Sequence, residues 1–439
     1  MGKEPKKLYQ LFIPIFIEIL FMMLTGAVDT LMLSSEGDQA VGAVGTANSY
    51  ISIFIIMFSV ISAGMVAVMT QYIGAGHPGT ARQALGIGVL FNMSAGVVIT
   101  TVLGLFPGQI LGAVGIAPQL LEPATVYLRT VGLFCMCNAL TPIFSSYLRS
   151  FGHTTPTLAA TTAANLVNIA LNALFLYGFR WGVFGVALAT GISRLTNLVW
   201  LMIAAARRVR VEKEAQPLPN FLLLRRILRV GLPAAMETAL YNLAITLVIR
   251  FLNQMDETGA QATARSYAMQ ITNFSYCAGA ALAQANAILV GWRIGRGDLE
   301  ACDRGTKKAA LIALGAGMAI AGLFALFSRP IVGLFSDDPE MVRLVGVLLA
   351  IDVVLEAGRT LNLVFGTALK TGGDAVFPMT IAVVFAFVCA AGGTWLFGIR
   401  LGWLAAGAYA AMALDECVRA VLMFARWQSG RWKRHKLIG

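Results

Sequence analysis

The chain has 439 residues, of which 58% are hydrophobic and only 13% charged. A soluble domain carries about 25% charged residues, whereas the apolar residues here come in runs of about 20 or more, the length that crosses a bilayer core. The formal net charge of +11 does not point to nucleic acid, because the basic residues form short clusters between apolar runs, the positive-inside pattern of a membrane protein.

The predicted spans, in chain order, are 8–33, 46–73, 82–106, 120–148, 155–178, 183–206, 230–253, 262–292, 307–328, 341–369, 375–397 and 402–426. This is an all-α integral membrane protein of about twelve transmembrane helices. The first run follows a basic start but is too long for the apolar region of a cleavable signal, and it holds Glu18 and Asp29, so it reads as a spanning helix. Lys3, Lys6, Lys7, Arg82, Arg149, the stretch 207–229, the cluster Arg293 to Lys308, Lys370 and the basic tail fall on one side of these spans. The opposite loops hold "SSEGDQ" (34–39), "DETG" (256–259) and "SDDPE" (336–340). The expected location is therefore the plasma (inner) membrane, with both termini cytoplasmic.

The stretch 207–229 contains Pro217 and Pro219 and reads as a cytoplasmic linker ending in a short amphipathic helix on the membrane surface. It divides the chain into an N-terminal bundle, 1–206, and a C-terminal bundle with its tail, 230–439. The halves repeat. Pro14 and Glu18 match Pro233 and Glu237 at an offset of 219; Gly74 and Gly76 match Gly295 and Gly297, and Arg149 and Gly152 match Lys370 and Gly373, at 221. Six helices per repeat start both copies on the same side. The expected architecture is two pseudo-symmetric six-helix bundles around a central cleft, whose rocking gives alternating access.

The loops "Q..GAG....AR" (71–82) and "LR..G.T.P" (148–156), with "GAVDT" (26–30) in the first span, resemble the multidrug and toxin extrusion (MATE) transporters. The resemblance runs over nearly the whole chain. It implies cation-coupled antiport, driven by proton or sodium entry, that exports organic cations, drugs or other small amphiphiles.

Charges inside a membrane are costly and mark function or internal pairing. Glu18 and Asp29 lie eleven residues apart, about three helical turns, and share a face. A carboxylate there can take a proton or bind sodium; the alternative for Asp29 is an interfacial residue near the outer surface. In the family the matching aspartate is central to cation coupling. Asn165, Asn168 and Asn172 form one polar stripe on the fifth span. The resemblance assigns Asn168 and Thr190 to a cation site, and places Asn172 where some branches carry aspartate, a departure that removes one negative charge. The alternative is helix packing through amide hydrogen bonds.

Glu237 follows Pro233 by four, as Glu18 follows Pro14, and either pairing suits substrate binding, gating or a structural role at the helix ends. Asp352, Glu356 and Arg359 form one face of the tenth span, able to touch substrate or to close an internal salt bridge. Arg359 falls where one branch of the family carries an acidic residue, which changes the cavity's charge. Glu416 and Arg419 read as an intrahelical pair, and Arg194 and Asp415 occupy equivalent repeat positions.

The chain carries no phosphate-loop lysine motif, so no ATP is expected, nor nucleic acid, enzymatic chemistry or a cofactor beyond the coupling proton or sodium. Metal binding is limited to sodium at Asp29. The expected partners are a small-molecule substrate and the lipid bilayer. A lipid-linked oligosaccharide flippase of the same superfamily is the alternative kept open by Arg194, Arg359 and Arg419.

Overall fold

The computed structural model describes residues 6–113, 116–212, 214, 217–256 and 258–438; Lys3, Lys213 and Glu257, counted above among loop charges, lie outside them. The apolar runs fold as helices, because in hydrocarbon each backbone N–H and C=O must be bonded within its own segment. In chain order these are α1 (Leu8–Leu33), α2 (Asp38–Gly74), α3 (Pro78–Leu105), α4 (Pro118–Leu133 continued by Cys135–Ser150), α5 (Thr154–Gly178) and α6 (Gly182–Arg208). Then follow α7 (Asn220–Asn253), α8 (Ala260–Arg296), α9 (Leu299–Leu326), α10 (Pro339–Thr371), α11 (Val376–Arg400) and α12 (Leu404–Gln428).

Nine of these are long and apolar enough to cross a bilayer, and α4, bent by 47° between its two parts, makes a tenth. The other two, α10 and α12, are equally long but each carries three ionisable residues in mid-span (Asp352, Glu356 and Arg359; Asp415, Glu416 and Arg419). The twelve expected helices are thus all present among the described residues, without a strand. Their outer faces expose large apolar side chains, among them Leu90, Val98, Leu166, Leu311, Leu326 and Val421, a surface suited to lipid rather than water.

The chain divides into two compact units, one comprising residues 17–231 and the other the described residues up to Phe16 together with those from Leu232 onward. The first unit closes over a core of Ile51, Phe58, Leu103, Leu128 and Val131. Asn92, 1% exposed, stitches that core by donating from Nδ2 to the carbonyls of Phe58 (3.1 Å) and Ala139 (2.8 Å), so one amide ties α2, α3 and α4. The second unit has two apolar clusters, one around Leu252, Leu348 and Leu355, the other around Val290, Phe365 and Trp427.

The boundary differs from the one the linker suggested. No separate surface helix precedes α7: Asn220–Asn253 is one helix. Its first turns bury Leu223, Ile227 and Val230 and lie backbone-to-backbone against α2. A Cβ on Gly64 would overlap the Ile227 carbonyl, and one on Gly231 the Val60 carbonyl. The apolar stripe that read as lipid-facing is therefore a helix contact inside the first unit. The linker is also tied down: Arg82 donates to the Val211 carbonyl (2.6 Å), and Gln83 to the Leu218 carbonyl (2.5 Å) and Asn220 Oδ1 (2.8 Å).

The repeat is visible in the backbone. Gly76 and Gly297 turn with φ of 87° and 78°, and Gly152 and Gly373 with φ of 77° and 93°, a region costly for any residue with a Cβ. Each repeat also has a short helix after its third span, Pro107–Ala113 and Ser328–Val332, and π-helical turns at the end of its fifth.

Candidate functional site

The half-buried Asp29 of α1 meets the polar stripe of α5. Asn172, fully buried, donates from Nδ2 to Asp29 Oδ1 at 2.9 Å. Asn168, 4% exposed, satisfies both ends of its amide when its nitrogen faces the same carboxylate, donating to Oδ1 and Oδ2 at 2.6 and 3.2 Å. The two asparagines are one turn apart, which aims both at one point. Arg194 of α6 lies within electrostatic reach of Asp29, and one of its guanidinium nitrogens is buried without a hydrogen-bond partner among the described residues. Tyr127 of α4 borders this group and donates to Asn48 Oδ1 at 3.3 Å.

Thr190 of α6 adjoins this group through Tyr127. Its hydroxyl donates to the Val186 carbonyl of its own helix at 2.9 Å. Asn165 bonds the Phe21 carbonyl at 3.4 Å. The group is thus a carboxylate with two amides that can present either nitrogen or oxygen. That set suits a proton acceptor or a small hard cation, and the Asn172 Oδ1 is buried without a partner among the described residues.

Glu18, 5% exposed, does not join Asp29. It pairs with Arg149 at 2.8 Å and accepts from the hydroxyls of Thr157 (2.9 Å) and Thr161 (3.2 Å). In the other unit Glu237 pairs with Lys370, whose Nζ lies 3.0 and 3.1 Å from its two oxygens. Arg149 and Lys370 are repeat equivalents, as are Glu18 and Glu237, so one ion pair recurs in both units. The repeat in the sequence matches both members, and the structure adds their contact.

The second unit holds a denser set of charges. Arg359 pairs with the fully buried Glu356 at 3.0 Å. Asp352, 1% exposed, has no hydrogen-bond partner on either oxygen among the described residues, but Arg359 acts on it electrostatically. Arg419 pairs with both Asp415 (2.7 Å) and Glu416 (2.6 Å), and its guanidinium lies over the Tyr241 ring. These helices border a cavity of about 500 Å³ whose wall includes Glu237, Tyr241, Arg265, Arg359, Glu416 and Arg419. The Asp29 arrangement does not repeat here. Val248, Cys389 and Gly393 stand where Asp29, Asn168 and Asn172 would map.

A helical membrane bundle built from two sequence repeats, with ionisable groups held inside each, is the architecture of a membrane transporter. Residues 14–174 and 233–396 match the MatE family, and the chain belongs to that family of multidrug efflux transporters. It is 33% identical over 432 residues to the "Uncharacterized transporter YisQ" of Bacillus subtilis (strain 168), covering 97% of this chain and 94% of the relative. It is 24% identical over 442 residues to the "Probable multidrug resistance protein NorM" of Thermotoga maritima, covering 99% and 94%. Among solved structures, a MATE transporter in complex with MaD3S superposes with a TM-score of 0.90 at 19% identity, covering 97% of this chain and 96% of that one. An outward-facing multidrug resistance MATE transporter gives 0.89, also at 19%, covering 98% and 96%.

Proposed function

We propose that the protein is a cation-coupled antiporter that exports organic cations, drugs or other small amphiphiles by alternating access, with Asp29 as the coupling carboxylate. The observation that carries this is the convergence of Asn168 and Asn172 on Asp29 within a membrane-spanning helical unit. Two amides hold the carboxylate when it is ionised, and they can rotate to offer oxygens when a proton or sodium ion arrives. Binding the ion removes a net negative charge, frees the asparagines and lets α1 shift against α5. Coupling requires only that ion and substrate prefer different states of this equilibrium. Glu18 and Glu237 act as gating latches through Arg149 and Lys370. The charges around Asp352, Glu356 and Arg359 contact or steer substrate. Proton or sodium entry, rather than ATP or a bound cofactor, supplies the energy, and both termini face the cytoplasm of the inner membrane. Relatives bearing the name multidrug resistance protein support the substrate class.

The flippase alternative needs a surplus of positive charge for an anionic headgroup. Arg359 and Arg419 are instead matched by Glu356, Asp415 and Glu416, which favours the antiporter.

The test uses purified protein in liposomes with a pH-sensitive dye inside, an imposed proton or sodium gradient and a panel of fluorescent organic cations. Gradient-driven movement, lost in Asp29→Asn while the folded protein stays in the membrane, is the expected result, and the gradient that works names the ion. Normal export by Asp29→Asn would refute the mechanism.

A further inference from the structure

A larger cavity, of about 970 Å³, opens in the second unit between the first turns of α1, the C-terminal end of α8 and the N-terminal end of α9. Its lining is chemically graded. Lys6, Lys7, Arg293, Arg296 and Lys308 supply five cations against a single carboxylate, Asp298. That carboxylate is already engaged as the α9 cap, accepting from the Ala301 amide at 3.0 Å. Tyr9, Phe12, Leu289, Trp292 and Ile312 make the remaining wall apolar.

A basic helix end alone would be the ordinary positive-inside pattern. Two buried groups here need a different account. Asn286 is 1% exposed, and neither its Oδ1 nor its Nδ2 has a hydrogen-bond partner among the described residues. One guanidinium nitrogen of Arg293 is likewise buried without one. Buried polar groups are nearly always bonded, and leaving one unbonded is costly. Along α8 the cavity is lined by Leu282, Asn286, Leu289 and Trp292 and then, at the helix end, by Arg293 and Arg296. Asn286 stands seven residues, about 10 Å, closer to the middle of the helix than Arg293.

We propose that this cavity binds an anionic phospholipid from the adjoining leaflet. The headgroup phosphate engages Arg293, Arg296 and Lys308, an ester carbonyl accepts from Asn286 Nδ2, and the acyl chains run along Tyr9, Phe12 and Leu282. Cations at the helix end, a buried amide deeper along α8 and an apolar wall beside both match the phosphate, ester and hydrocarbon of such a lipid. The site is separate from the Asp29 chemistry and does not depend on the transport direction.

Trp292 makes the test direct. Purified full-length protein in phosphatidylcholine micelles is titrated with dibrominated phosphatidylglycerol or dibrominated phosphatidylcholine. The part of the tryptophan quenching absent from Trp292→Phe reports the cavity. Phosphatidylglycerol is expected to quench Trp292 at a far lower mole fraction than phosphatidylcholine. Arg296→Gln with Lys308→Gln, both at exposed positions, is expected to weaken that preference roughly fivefold per cation removed, about 25-fold in all. Asn286→Leu is expected to weaken phosphatidylglycerol binding without removing a charge. Equal quenching by the two lipids, or an unchanged preference in the charge variant, overturns the proposal. Displacement of the lipid by millimolar inorganic phosphate also overturns it, by showing a free-anion site.

Discussion

Replacing Glu18 with Gln tests whether the recurring ion pair is equally important in both units. The Glu18 and Arg149 side chains are 6% and 19% exposed, while Glu237 and Lys370 are each 21% exposed. Removing one partner of a buried pair costs about 3–5 kcal/mol, because the other charge stays desolvated. The partial exposure of Arg149 puts Glu18→Gln at the low end, about 3 kcal/mol. Gln keeps one amide oxygen to accept from one of the Thr157 and Thr161 hydroxyls, which meet different carboxylate oxygens, and the other hydroxyl must turn to accept from the amide nitrogen. The two cations are about equally exposed, but Glu237 is more open to water than Glu18, so its pair is worth less and Glu237→Gln costs about 1 kcal/mol. The assay is an SDS titration of each variant in mixed micelles, followed by far-UV circular dichroism. The double variant Glu18→Gln, Arg149→Gln is expected to be more stable than Glu18→Gln alone, since the guanidinium no longer stays largely buried beside a neutral side chain. The reasoning fails if Glu18→Gln costs no more than Glu237→Gln, or if the second substitution brings no recovery.

Three further outcomes follow from the packing and charge pattern. Gly64→Ala drives a methyl into the Ile227 carbonyl and should cost about 2 kcal/mol or more, whereas Gly45→Ala in the same helix meets open space and should be neutral or stabilising by up to ~1 kcal/mol; thermal unfolding of the two compares them. Arg359→Met leaves Glu356, fully buried, without its cation and should destabilise by about 3 kcal/mol, most of it recovered by adding Glu356→Gln, as read by the same SDS titration. Asn172→Ala removes a donor to Asp29 and should lower cation-driven export about tenfold, the usual cost of losing a group that orients a ligand, with substrate binding measured without a gradient unchanged.

The helical class, the twelve spans, the repeat and the family resemblance were all legible in the sequence. Hydrocarbon enforces this: a spanning segment must be long, apolar and internally bonded, and each requirement leaves a local signature. The glycines at 76, 152, 297 and 373 were legible for the same kind of reason, since a turn with positive φ selects its residue type locally. The stripe Asn165, Asn168, Asn172 announced a polar face, but not that two of its members converge on Asp29 while the third bonds a backbone carbonyl.

What only the tertiary structure decided is which groups meet. Glu18 and Asp29 share a helix face, yet one is held by Arg149 and two threonines and the other by two asparagines. Tyr127 and Arg194 join the Asp29 neighbourhood from α4 and α6, and no spacing in the chain brings them there. The amphipathic turn 221–229 shows the limit most directly. Its apolar stripe was plain in the sequence, but lipid and the flank of α2 are both apolar, and only the bare backbones of Gly64 and Gly231 selected the helix as its partner. Helical periodicity is encoded over a few residues, whereas a cross-helix contact depends on the shape and charge of segments more than a hundred residues away.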